Sequence, residues 1–150
     1  MNINALRRLA GCIAYLLIGA VSLKAQQPVF PPAAYNSPVI NYIRTWVATA
    51  PVTDPNALLT KTLKDVKQTT QYLDGLGRPI QVVAKQASQE TGSVATDLVS
   101  PVVYDEFGRE TYKYLPFVAN NTGGNSSINN GYFKLNPFQQ QETFMQGQYG

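Results

Sequence analysis

Thr69 to Gln86 reads T-T-Q-Y-L-D-G-L-G-R-P-I-Q-V-V-A-K-Q, and a looser copy, V-V-Y-D-E-F-G-R-E-T-Y-K-Y-L, runs from Val102 to Leu115. Each has β-favouring residues, an Asp-x-x-Gly-Arg turn and a second β-favouring run, the pattern of two strands folded back on each other. Aligning Asp74, Gly75, Gly77 and Arg78 with Asp105, Glu106, Gly108 and Arg109 gives an offset of 31 residues, within the range of repeated supersecondary units. Asp accepts from backbone amides two residues on, and the Gly three positions later tolerates positive φ. Arg78 and Arg109 leave the turn where a guanidinium reaches back to the carboxylate or stacks on a neighbouring tyrosine, and Tyr104 belongs to the second turn motif. The competing reading, Asp and Arg as a site for an anionic or sugar ligand, has no other converging groups nearby.

These blocks also carry a resemblance. D-G-L-G-R-P-I-Q, then D-L-V-S-P-V-V-Y-D-E-F-G-R-E, then K-Y-L-P-F resemble the N-terminal domain of unknown function of secreted bacterial RHS-repeat, or YD-repeat, proteins. The resemblance covers Ile40 to Phe117 well and the rest to Gly150 loosely. It implies a module that caps or leads into a β-rich shell built by a longer YD-repeat array, the expected partner. In such proteins comparable residues continue into further sequence, so the stop at Gly150 is expected to be a truncation.

Outward from the turns, Val39 to Thr49 is β-branched and aromatic. Alternation separates Ile40, Tyr42, Arg44 and Trp46 from Ile43, Thr45 and Val47, giving a strand with apolar contacts on both faces. Trp46 is read as core or as a stacking platform for a sugar ring. Asp54 or Thr53 followed by Pro55 signals a short helix or turn. Val66 to Leu73 is extended, Pro79 marks a strand start or sheet edge, and Ile80 to Ala84 forms a compact apolar strand. In the second copy Glu110, Tyr112 and Tyr114 share a face. Tyr112 and Tyr114 are read as cross-strand stacking residues or as a carbohydrate surface. The fold class is therefore mainly β, antiparallel hairpins or a meander with a short helix, and the domain proper spans 39–118.

The N-terminus differs in kind. Arg7-Arg8, an apolar run from Leu9 to Leu23 and small residues near Ala25 describe a secretory signal peptide over 1–25. A spanning helix needs about 20 apolar residues and this run is shorter, so no membrane attachment is expected after cleavage behind Ala25. Leu9-Ala10-Gly11-Cys12 matches a lipoprotein box, but its apolar region follows the cysteine instead of preceding it. Residues 26–38 are a Pro/Gln-rich leader, a spacer or a strap along the domain. Ala119 to Gly131, A-N-N-T-G-G-N-S-S-I-N-N-G, has almost nothing to bury and reads as a flexible linker, and 132–150 as an aromatic, Gln-rich tail. Asn120 and Asn125 stand in Asn-x-Ser/Thr sequons.

Charge and chemistry narrow the function. Of 12 Lys+Arg and 9 Asp+Glu, three bases and no acid lie in the first 25 residues, so the exported chain is neutral and carries no surplus for nucleic acid. The chain has no His, and its one Cys is Cys12, which removes His-based acid–base catalysis, thiol nucleophiles and the usual zinc ligands. Calcium ligands at regular spacing are missing too. No catalytic residue, metal or cofactor is expected. The first expectation is a non-catalytic secreted structural or interaction module; the alternatives are a cell-surface carbohydrate-binding module and a component of a polymorphic toxin delivery system.

Overall fold

The computed structural model describes residues 32–36, 39–88, 94–110, 112–125 and 127–150. The expected signal peptide and the first part of the leader lie outside the described residues. Residues 31–150 form one compact unit. Among the described residues it is mainly β, with five antiparallel strands in one open sheet and a single α-helix at the C-terminal end.

The strands are β1 (Asn41–Ala48), β2 (Val66–Leu73), β3 (Pro79–Ala84), β4 (Leu98–Pro101) and β5 (Phe117–Val118). They lie side by side in chain order, a meander. Consecutive antiparallel pairing needs only short reversals, and the Asp-x-x-Gly-Arg turns supply two of them. Pro79 opens β3, where a missing N–H costs least, opposite Leu73 and next to a register shift. Between β1 and β2 Asp54 caps a 3₁₀ helix, Pro55–Leu59, its carboxylate accepting from Asn56 N at 2.9 Å.

Cross-strand partners share a face, and the register sorts the sheet into two sides. Trp46, Gln68, Thr70, Tyr72, Gln81, Val83, Val99 and Phe117 fall on one side. Tyr72, Val83, Val99 and Phe117 join Ile80 and Ala119 in the core, packed against Tyr35, Ile128, Phe133 and Phe144. The other side carries Ile43, Val47, Val82, Leu98 and Val118, exposed or half-buried. The expectation that β1 makes apolar contacts on both faces is therefore corrected: Ile43 and Val47 are 57% and 58% exposed, because β1 is an edge strand whose outward face has no layer over it among the described residues.

The second copy departs from the symmetric hairpin the sequence suggests. Beside its turn there is only a bridge, Val102 to Lys113, and the ladder resumes farther out, Leu98 with Val118 and Val99 with Phe117. Pro101 and Pro116 supply no N–H in these arms, and Glu110, Tyr112 and Lys113 are exposed with no layer to rest on.

The C-terminal third is the larger correction. Residues 119–131 are no free linker, and 132–150 are no separate tail. Ala119 and Asn125 are buried, Asp97 N donates to Ile128 O at 2.8 Å, and Ala119 N donates to Asp97 O at 2.8 Å. The chain then forms helix α1 (Pro137–Tyr149), whose Phe138 is buried and lies 5.0 Å from Tyr114. Counting only apolar residues understated this stretch, because what it buries is polar and hydrogen-bonded: Asn125 Oδ1 accepts from Leu135 N, Gln140 Nε2 donates to Asn120 O, and Gln141 Nε2 donates to Leu115 O. Both sequon asparagines are thus engaged in packing. Tyr35 of the leader lies along the domain, its N–H donating to Leu135 O at 2.7 Å and its ring 5.1 Å from Phe133. Burial pushes its hydroxyl up to about 12.

Candidate functional site

The two turns are built alike, atom for atom. Asp74 Oδ1 accepts from Leu76 N and Arg78 N, both at 2.9 Å, and Oδ2 accepts from Arg78 Nε and Nη2, both at 2.8 Å. Asp105 Oδ1 accepts from Phe107 N at 2.9 Å and Arg109 N at 2.8 Å, and Oδ2 from Arg109 Nε at 2.9 Å and Nη2 at 2.8 Å. Gly77 and Gly108 have φ of 78° and 77°, the left-handed region that explains glycine at both. Gly75 has no such φ and matches Glu106, so it is not required by the motif.

Backbone N–H donation from Arg78, reinforced by its side chain, holds the Asp74 carboxyl below its ordinary value; Arg109 does the same for Asp105. Each carboxylate is thus ionised and saturated with donors. That suits a clamp on the backbone and leaves neither acid a proton to give at neutral pH.

The structure brings the two corners together. Arg78 Cζ sits 4.4 Å from the centre of the Tyr104 ring, and the Tyr104 hydroxyl donates to Pro79 O at 2.9 Å. A Cβ on Gly108 would lie 2.7 Å from Arg78 Nη1, so the glycine also makes room for the neighbouring corner. Both options for the guanidinium, carboxylate and aromatic ring, are realised at Arg78 simultaneously. Arg109 remains in its own corner, 5.1 Å from the Phe107 ring and 69% exposed, against 35% for Arg78. A depression of about 260 Å³ beside the corners is lined by Asp74, Arg78, Tyr104, Tyr35 and Phe138.

Trp46 lies at the opposite end of the sheet. It is half-buried in a cleft of about 340 Å³ between the 3₁₀ segment and the ends of β2 and β3, lined also by Lys61, Gln68, Lys85 and Gln86. Tyr112 and Tyr114 are remote from that cleft in sequence and absent from its walls. Tyr112 is half exposed, and Tyr114 packs on Phe138; burial, and after it the neighbouring Tyr112, raise the Tyr114 hydroxyl above its ordinary value. The three aromatic candidates therefore do not share one surface.

Sequence reasoning missed the buried polar centre that connects these regions. Lys134 Nζ and Asp97 Oδ2 are 2.7 Å apart, with both side chains fully buried. Asp97 Oδ2 also accepts from Gly131 N at 2.8 Å, and Oδ1 from Gln86 N at 2.9 Å. Lys134 Nζ donates to Ser127 O at 2.5 Å, while its backbone exchanges two hydrogen bonds with the Gln81 carboxamide, at 2.8 and 3.1 Å. Nearly every polar atom of the pair is occupied, which is the condition for tolerating two buried charges. One signal was available: from Tyr114 to Gly150 the only charged residues are Lys134 and Glu142.

Among the described residues no group of three His, Cys, Asp or Glu can hold a metal, and no helix is long and apolar enough to cross a membrane. Fold and corners define a class: an open antiparallel meander, two of whose reversals carry Asp–Arg clamped turns. The chain belongs to the family described as domain of unknown function DUF6443, whose model matches residues 44–150. No curated protein and no solved structure matches the chain.

Proposed function

We propose that this chain is a non-catalytic, secreted structural and interaction module, the N-terminal part of an RHS/YD-repeat protein that caps or leads into a β-shell. The observation that carries the reading is the Arg78–Tyr104 stack. Each Asp-x-x-Gly-Arg corner is complete in itself, yet the first places its guanidinium on the aromatic residue that opens the second. A further Tyr-Asp-x-x-Gly-Arg unit offers the same ring to Arg109, so corners of this kind stack one behind another without new chemistry. Edge strand β1, paired on one side only among the described residues, supports the same reading, since an unpaired edge accepts an added strand.

The test is to mix the full chain with a separately produced YD-repeat array and follow association by analytical ultracentrifugation. The expected result is a stoichiometric complex that Arg109→Ala weakens while leaving the melting temperature nearly unchanged. Absence of a complex, with the array itself folded, overturns the reading.

A further inference from the structure

Beyond the module reading, and independent of it, we propose that the cleft around Trp46 binds an acidic sugar, a hexuronate unit of an anionic glycan. The cleft is about 340 Å³, the size of a small-ligand site and enough for one or two pyranose rings. Its apolar lining is Trp46 with Leu58, Leu59, Leu63 and the buried Val66. Its polar lining is Lys61 and Lys85 with Gln68 and Gln86, and Gln68 stands beside Trp46 in the sheet register. Among the described residues no acid lines it. A ligand that matches both kinds of lining has a flat C–H face, several hydroxyls and a negative charge. A galacturonate ring has all three, because its axial 4-hydroxyl leaves one face apolar for the indole, its carboxylate suits an ammonium, and its hydroxyls pair with amides.

The backbone of the cleft is strained in a way the interior maintains. Gln86 has φ of 48°, the one non-glycine residue in the left-handed region among the described residues. It is held there by donation of its N–H to the buried Asp97 carboxylate at 2.9 Å. Such outliers persist where the surroundings over-determine them, and they gather at ligand sites. Single-stranded nucleic acid fits less well, since it uses a basic groove with several stacking platforms and this cleft has one aromatic residue.

Trp46 is the single tryptophan, so its emission reports on the cleft directly. The full chain is titrated with trigalacturonate, with the neutral counterpart galactotriose and with oligothymidylate. A saturable emission change with trigalacturonate is expected, weakened by salt. Affinity falls about tenfold for galactotriose, and about tenfold in Lys61→Met or Lys85→Met with unchanged thermal melting, the loss of one charge-assisted hydrogen bond. The proposal is overturned by no saturable change with trigalacturonate, by equal affinity for galactotriose, by tighter binding of oligothymidylate, or by unaltered affinity in both lysine variants.

Discussion

Three Asp–basic pairs stand among the described residues, and they divide into two kinds. Asp74–Arg78 and Asp105–Arg109 are four residues apart in sequence and lie at the surface, whereas Asp97–Lys134 joins positions 37 residues apart and is fully buried. The distances scarcely differ, at 2.8, 2.8 and 2.7 Å. What differs is the surroundings: a corner carboxylate released from its arginine is hydrated at once, while Asp97 without Lys134 is a charge in a dry interior. The first kind shapes the backbone locally, and the second closes the C-terminal third onto the sheet.

The sharpest break of that comparison is Lys134→Met. It leaves Asp97 with two backbone donors and no counter-charge, a loss of about 3–5 kcal/mol in urea unfolding followed by Trp46 emission. Adding Asp97→Asn keeps an acceptor for Gln86 N and removes the uncompensated charge. The double variant is therefore expected to recover part of the loss, about 0.5–3 kcal/mol of coupling. No recovery would mean that the pair acts through packing alone.

Next come the corner glycines. Gly77→Ala forces a Cβ into a left-handed residue at a cost of about 1–2 kcal/mol. Gly108→Ala adds displacement of the Arg78 guanidinium, so it is expected to cost more than Gly77→Ala, and thermal melting of both variants ranks them.

Arg78→Ala removes the stack on Tyr104 along with the clamp, about 1 kcal/mol, while Arg109→Ala, on a more exposed side chain, is expected to cost less. Equal losses would show that the contact between corners contributes nothing to stability.

Acid gives the smallest effect. Asp74 and Asp105 titrate below their ordinary value of 3.8 in the folded chain, so their contribution is complete above that value. It is lost as pH falls through the lower, folded-state values. Melting temperature should decline below pH 3.8, and less steeply in Asp74→Asn.

The two kinds of pair also differ in how much of them could be read in advance. The corners are legible because five consecutive residues contain the whole device: acceptor, left-handed glycine and returning guanidinium. Alternation in Val66–Leu73 and Pro79–Ala84 likewise locates β2 and β3 without any distant information. The flanks of the second corner misled because Tyr104 leaves the ladder to receive Arg78, a partner 26 residues earlier. The buried centre was hidden more deeply. Asp97 is unremarkable in its local window, Lys134 shows only as an isolated charge, and the Asn- and Gln-rich sequence on both sides of Lys134 looks solvated until it is known that Asn125, Gln140 and Gln141 turn inward. Trp46 stands out in the sequence as the single tryptophan, but Lys61 and Lys85, which line the same cleft, come from segments that only the fold brings to it.

That residues 119–150 are built into the sheet domain through the buried pair is tested most directly by native-state hydrogen exchange on the full chain. The amides of Ala119, Gly131 and Lys134, which donate to Asp97 O, Asp97 Oδ2 and Gln81 Oε1, should be protected to the same level as Val83 in the central strand and exchange only on global unfolding. Rapid exchange at those three amides while Val83 stays protected would contradict the account and return the C-terminal third to the status of a loosely attached tail.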